Sequence, residues 1–152
     1  LTAMMEWEGI VDGTGMEALL NIGGSAAMPN DTGTRAAFVS RYDLIGLNGD
    51  GSAELYLWQE GQQLEQLTQS LINIGTPVIS GDGNTVVFSV NCEVFTLDLS
   101  TGVFREVTFT PLGLCSDEPA VNRDGSRIVF RSNADLTGGN PSKAYEVFLV
   151  QR

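Results

Sequence analysis

The chain has 152 residues, with 19 Asp+Glu against 8 Lys+Arg, a formal net charge of −11 and no histidine. That charge argues against nucleic acid as a partner, because such binding runs on Lys and Arg displacing counterions from phosphates. The lack of histidine removes His general-base catalysis, Ser–His and Cys–His nucleophile pairs and His-containing zinc sites.

Hydrophobic residues make up 42% of the chain and aromatics 8%, which fits one globular domain and not wholesale disorder. No apolar stretch approaches the ~20 residues of a spanning helix, so no membrane insertion is expected. Leu1-Thr2-Ala3-Met4-Met5 has neither a basic region nor a long apolar run, so no signal peptide is visible there. A chain that does not start with Met reads as processed or as a piece of something longer.

In chain order, residues 6–11 read as a strand, Asp12-Gly13-Thr14-Gly15 as a turn and residues 16–21 as a second strand. Three related segments follow. Arg35-Ala36-Ala37-Phe38, Thr85-Val86-Val87-Phe88 and Arg127-Ile128-Val129-Phe130 each have a glycine five residues before the phenylalanine, at Gly33, Gly83 and Gly125. Downstream, Glu54-Leu55-Tyr56-Leu57, Glu93-Val94-Phe95-Thr96 and Glu146-Val147-Phe148-Leu149 hold the same relative place. In two copies a glycine turn (Gly61, Gly102) then leads to a run ending in Thr68 or Thr108.

The phenylalanines stand 50 and 42 residues apart, and strand-built repeats of about 40–50 residues signify a propeller. The clearest unit predicts strand A at 77–80, strand B at 85–90, strand C at 93–99 and strand D at 103–109. Val, Phe, Ile and Thr dominate these runs, and Asp-Gly supplies the positive φ of a tight hairpin. The expected fold is all-β, a partial β-propeller of two complete four-stranded blades and two incomplete ones. The blades fall at 25–70, 71–112 and 113–152 (strands A–C only), with 1–24 ending a preceding blade (strands C–D), all in one propeller domain. Closing a ring usually takes ~4–8 blades. Either the chain belongs to a longer propeller or several chains close one.

The phrase Pro77-Val78-Ile79-Ser80-Gly81-Asp82-Gly83 with Val86-Val87-Phe88-Ser89 resembles the repeat of TolB-type propellers. So does Ser132-Asn133-Ala134-Asp135-Leu136-Thr137-Gly138-Gly139-Asn140-Pro141 with Glu146-Val147-Phe148-Leu149. The resemblance covers residues 25–152 well and 6–24 loosely. It implies a periplasmic or secreted binding scaffold, and such propellers also form the non-catalytic domain of prolyl oligopeptidase-like enzymes. Fold likeness by itself does not fix function.

In a four-stranded blade the A–B and C–D turns lie at one rim and the B–C and D–A loops at the other. The unusual sequence lies in the second set. Residues 43–54 align without a gap with 135–146, matching Asp43 to Asp135, Gly46 to Gly138, Asn48 to Asn140 and Glu54 to Glu146. Asp43, Asn48, Asp50, Ser52 and Glu54 supply hard oxygens, several at alternate positions, as calcium requires, so calcium is a candidate ligand. The spacing is too short for a full EF-hand loop, and the second copy has Ser142 and Lys143 where Asp50 and Gly51 stand. The competing reading is a set of hydrogen-bonded turns with the glutamate bracing its loop.

Cys92 falls in a B–C loop and Cys115 in the next D–A loop, at the same rim and in adjacent parts of one blade. A disulfide is geometrically reasonable, would contribute about 3 kcal/mol, and would fit an extracytoplasmic location. The alternative is two free, partly buried thiols. No Gly-x-Ser-x-Gly elbow occurs, Gly23-Gly24-Ser25 included, and the Asp-Gly turns lack the spacing and tryptophan of a sialidase Asp-box. Trp7 and Trp58 read as packing residues, with partial exposure open to Trp58.

The expected function is therefore a non-catalytic, periplasmic or extracellular propeller that binds a protein partner or acts as a scaffold. Its B–C and D–A loops would carry the recognition, including Asp135, Asn140 and Glu146. The acidic surface favours solubility or a basic partner. The alternatives are the propeller portion of a secreted hydrolase, or a subunit joined to others through open blade edges.

Overall fold

The computed structural model describes residues 27–69 and 74–152. The strand pair expected within 6–24, Trp7 and Gly23-Gly24-Ser25 lie outside the described residues. Three antiparallel sheets follow one another along the chain. Blade 1 orders β1 (Met28–Pro29), β2 (Arg35–Ser40), β3 (Glu54–Gln59) and β4 (Glu65–Gln66). Blade 2 orders β5 (Val78–Ile79), β6 (Thr85–Val90), β7 (Glu93–Asp98) and β8 (Val103–Glu106). Blade 3 holds β9 (Ser116–Val121), β10 (Arg127–Ser132) and β11 (Glu146–Gln151). The all-β, partial-propeller expectation holds.

Strands B and C carry apolar residues on both faces, as befits a sheet sandwiched between others. In each blade the central pair puts two aromatic rings directly opposite one another: Phe38 on Tyr56, Phe88 on Phe95 and Phe130 on Phe148. Their centroids lie 5.6, 6.1 and 5.8 Å apart with nearly parallel planes. Such pairs contribute about 0.5–1.5 kcal/mol each beyond area burial. The opposite face is aliphatic. Ala37, Val39, Leu55 and Leu57 of blade 1 bury against Ile79, Val86, Phe88 and Leu97 of blade 2. Val87 and Val94 of blade 2 bury in turn against Ile128 and Phe130 of blade 3. The stack thus repeats one joint, the aliphatic face of a blade against the aromatic face of the next. Trp58 belongs to a cluster with Ala36, Phe38 and Tyr56 and is 5% exposed, so it packs and the partial exposure open to it is not seen.

Strand bounds differ from the expected ones at A and D, for chemical reasons. Strand A of blade 2 pairs only at Val78–Ile79, because Ser80 turns its hydroxyl back to accept from the Asn84 and Thr85 N–H groups. Strand D of blade 2 leaves the ladder after Glu106 and not at 109. Val107 N–H still donates to Val94 O, but Val94 N–H then donates to the Thr108 hydroxyl in place of a backbone carbonyl. Blade 1 repeats the device with Leu67, Leu55 and Thr68. In blade 3, Ser116 and Asp117 pair with Ser132 and Arg131 whereas Ala120 and Val121 pair with Val129 and Ile128. Glu118 and Pro119 therefore bulge opposite Phe130, with Glu118 at φ +50°, and proline's missing N–H is accommodated there.

The A–B turns interlock along one rim. Asp31 N–H donates to Gly81 O, Asp82 N–H to Arg123 O, and Arg35 to Gly83 O. This contact needs two glycines for two reasons at once. Gly83 and Gly125 sit at φ +77° and +72°, and a Cβ there would lie 2.8 Å from Asn30 Nδ2 and 2.5 Å from Thr85 Oγ1.

Candidate functional site

The opposite rim gathers the B–C and D–A loops. In blade 1, Asp43 Oδ1 accepts the Asn48 N–H at 2.9 Å, closing the front of the loop. The Asn48 side-chain amide donates to Arg41 O (3.1 Å) and Ser52 O (2.9 Å), closing its back. The Ser52 hydroxyl lies 2.8 Å from Asp50 Oδ1 and 2.5 Å from Glu54 Oε1. Glu54, itself 1% exposed, also accepts from the Thr68 hydroxyl at the end of strand D. The buried Tyr56 hydroxyl donates to Tyr42 O at 2.9 Å and contacts Gln66 Oε1, tying the loop to strands C and D. Burial pushes the Tyr56 hydroxyl above the usual range.

Blade 3 builds the same loop from its matching residues. Asp135 Oδ1 accepts the Asn140 N–H at 2.8 Å, and Asn140 donates to Ala144 O at 2.7 Å. Asn48 and Asn140 are 4% and 1% exposed. Gly46 and Gly138 share φ values of +81° and +80°, and Lys143 keeps a φ of +56° where Gly51 has +68°. Both loops are thus held by a buried asparagine whose N–H is taken by the leading aspartate and whose side-chain amide donates to a backbone carbonyl at the loop's end, Ser52 O in one and Ala144 O in the other. The remaining matched acid behaves differently: Glu146 is exposed, whereas Glu54 is buried.

Of the calcium candidates, Asn48, Asp50, Ser52 and Glu54 converge, with Asn48 Oδ1, Asp50 Oδ1 and Glu54 Oε1 at 3.4, 2.8 and 2.5 Å from the Ser52 hydroxyl. Asp43 is engaged by the Asn48 N–H. Among the described residues no three His, Cys, Asp or Glu side chains form a metal-holding group. Hydrogen bonds from the backbone and hydroxyl of Ser52 hold the Asp50 carboxyl below its ordinary range, so the acid is stabilised as an anion by its own loop.

Cys92 and Cys115 are joined in a disulfide. Sequence reasoning places both in one blade, but Cys115 directly precedes β9, so the bond ties blade 2 to blade 3. Ser116 N–H donates to Cys92 O at 3.0 Å, Asn133 N–H to Cys115 O at 3.1 Å, and Cys115 N–H to Asn133 Oδ1 at 2.6 Å. Beside this joint lies a cluster that the sequence does not announce. Arg131 meets Asp117 at 2.6 Å and Glu118 at 3.1 Å, and its guanidinium lies 4.6 Å from the centroid of the Tyr145 ring. The hydrogen bond with Asp117 raises the Arg131 pKa above its ordinary value. The one signal for this pairing is the register across the Glu118-Pro119 bulge, which appears only once β9 and β10 pair.

Exposure separates the two rims. Tyr42, Ile45, Leu47 and Tyr145 in B–C loops, and Phe109 and Leu112 in the D–A connection, are all exposed. Among the described residues no large hydrophobic side chain is exposed in an A–B or C–D turn; the others lie on strands.

No protein-family model and no curated protein matches the chain. Solved structures do. TolB from Acinetobacter baumannii superposes with a TM-score of 0.58 at 19% identity, covering 86% of this chain and 30% of that one. A TolB from Agrobacterium tumefaciens gives 0.60 at 14% identity, covering 86% and 46%. A puromycin-hydrolyzing peptidase of Mycobacterium tuberculosis gives 0.52 at 15% identity, covering 84% and 21%. The chain spans less than half the length of each, and at these identities the likeness speaks for the fold alone. Three blade sheets stacked through one repeated joint, together with these superpositions, show that the chain has a TolB-like β-propeller fold.

Proposed function

We propose that this chain is a non-catalytic, extracytoplasmic propeller module that serves as a protein-interaction or structural scaffold through its B–C and D–A loops. The observation that carries this reading is the one-sided exposure of apolar loop residues. Tyr42, Ile45, Leu47, Phe109, Leu112 and Tyr145 share a rim whose loops are braced by Asn48, Asn140 and the Cys92–Cys115 bond. Exposed apolar and aromatic side chains on a rigid frame suit recognition of another protein, because little conformational entropy is lost when they are covered. The disulfide supports a periplasmic or extracellular setting, where such bonds persist. At residues 43–54 the hydrogen bonds that already engage Asp43, Asp50 and Glu54 support a braced turn over the calcium alternative, and the response of Tm to calcium and chelator decides between the two.

The test is site-specific photocrosslinking in extracellular or periplasmic extract, with the probe at Leu47 or Leu112 and, as the control, at Asp82 or Asp124 on the turn rim. Defined protein adducts from the loop rim alone are expected. Equal yields from both rims, or none from the loop rim, would overturn the reading.

A second reading, the propeller portion of a secreted hydrolase, draws support from the peptidase neighbour. A Gly-x-Ser-x-Gly motif downstream in the same gene would favour it, and its absence from the gene would remove it.

A further inference from the structure

We propose that the connection 109–114, between blades 2 and 3, is the anchor of the loop rim: a preformed apolar knob that seats Phe109 and Leu112 in an apolar pocket of another protein, with Lys or Arg at that pocket's edge. The inference rests on the loop-rim reading above and names its anchor and the chemistry of its partner.

This connection departs from the repeat in three ways. Thr108 to Pro119 spans eleven residues, where the equivalent Thr68 to Pro77 spans nine. Cys92 and Cys115 stand where the preceding repeat has Ala53 and Asn73, so the longer connection is the stapled one. Its tip is apolar, with Phe109 77% exposed and Leu112 105%. Binding residues collect on such elaborated loops, which a rigid scaffold positions.

The tip is clamped at both ends. Thr110 N–H donates to Glu93 Oε1, and its hydroxyl lies 2.9 Å from Glu93 Oε2 and 2.8 Å from Ser116 Oγ. The Cys92–Cys115 bond fixes the far end. Between them Leu114 N–H donates to Pro111 O at 3.0 Å, across a turn in which Gly113 takes φ +84°. Glycine supplies that positive φ, and Leu112 is left projecting from the tip. A loop already ordered loses little freedom on association, so the burial of two large apolar side chains is not offset by the cost of ordering it.

The surroundings select the partner. Residues 106–122 include Glu106, Asp117 and Glu118 and no Lys or Arg. The cation beside them, Arg131, is already paired with Asp117 and Glu118. An anionic lipid surface would repel this rim on a chain of net charge −11, whereas a protein pocket edged with cations complements it.

Competition photocrosslinking in extracellular or periplasmic extract, with a benzophenone probe at Phe109, is the test. Unlabelled wild-type chain is expected to suppress the adduct, and L47D to suppress it within about 3-fold of wild type. L112D should need about 30-fold more protein, the loss typical of an anchor residue. Its Tm should equal that of wild type, because Leu112 is fully exposed. Adduct yield should fall as NaCl rises from about 0.05 M to about 0.5 M. L112D competing as well as wild type would overturn the anchor, and a yield indifferent to salt would overturn the cationic pocket edge. An adduct from a probe at Leu47 with none from Phe109 would overturn this proposal and leave the loop-rim reading standing, whereas no adduct from either would overturn both. Sedimentation with phosphatidylcholine–phosphatidylglycerol vesicles that L112D abolishes would also overturn it, since the tip would then serve a lipid surface.

Discussion

Replacing both cysteines with alanine tests how blades 2 and 3 are held together. The bond spans 23 residues of sequence and encloses β7, β8 and the D–A connection. Chain-entropy arithmetic for a loop of that length gives about 3.4 kcal/mol of stabilisation, acting on the unfolded ensemble. The backbone bonds at the joint, Ser116 to Cys92 and Asn133 to Cys115, involve no sulfur and survive the substitution. The loss is therefore expected to approach the full entropic value, with a fall in Tm of about 7–14 °C for a chain of this size. Urea unfolding followed through the buried Trp58 gives the free energy, and m should rise because the open unfolded chain exposes more surface. A built-in comparison comes from the backbone: Cys92 sits at φ +68°, where a side chain costs about 1 kcal/mol. C92G/C115A should accordingly be about 1 kcal/mol more stable than C92A/C115A. A loss below about 1 kcal/mol at unchanged m would refute the reasoning, because the bond would then constrain nothing that the unfolded chain explores. A gain of about 2 Da on reduction of the intact protein is the prior check that the bond is present.

Three further outcomes follow. Thr96 is 1% exposed on the blade 2 face that meets blade 3, its hydroxyl has no partner among the described residues, and blades 1 and 3 have Leu57 and Leu149 at the matching position. T96V should raise stability by about 1 kcal/mol in urea melts, and a loss of similar size would show that the hydroxyl has a partner. Hydrogen bonds from neighbouring Ser, Thr and Asn groups hold the Asp98 and Asp124 carboxyls below the ordinary carboxylate range, and at Asp82 they outweigh burial, which acts in the opposite direction. Depressed acids give stability that is fully present above about pH 4 and lost as pH falls below it, so Tm should drop there, less steeply in D82N; a Tm that rises on acidification to pH 3 would contradict this. For calcium at residues 43–54, Tm should not move with chelator or added calcium, because Asp43, Asp50 and Glu54 are already hydrogen-bonded within the loop or to strand D. A rise equivalent to about 2.7 kcal/mol at 100 times the Kd would instead establish the site.

The repeat made much of this molecule legible. Strand B was readable to the residue at Thr85–Val90, and strand C to within one residue, because alternating Val, Phe and Thr between Asp-Gly and Ser-Thr-Gly turns leaves one register. The match of 43–54 to 135–146 announced two alike loops, and the loops are alike, down to the buried asparagine. Other features needed distant atoms. Strand D ends where the Thr68 or Thr108 hydroxyl replaces a carbonyl, and a threonine in a strand-like run carries no mark of that role. The Glu118-Pro119 bulge, the Arg131 cluster and the linking of two blades by Cys92 and Cys115 each depend on which residue faces which across a sheet or a joint.

The clearest division is at Val87 and Val129. Both stand at the same position of strand B in the repeat, as Val94 and Val147 do in strand C. Val87 and Val94 are fully buried, whereas Val129 and Val147 are 38% and 79% exposed. Sequence alternation determined which side chains a blade offers on each face, because side-chain direction along a strand is local. Only the tertiary stack decided which of those faces is covered, because burial belongs to the pair of surfaces that meet and not to either strand alone.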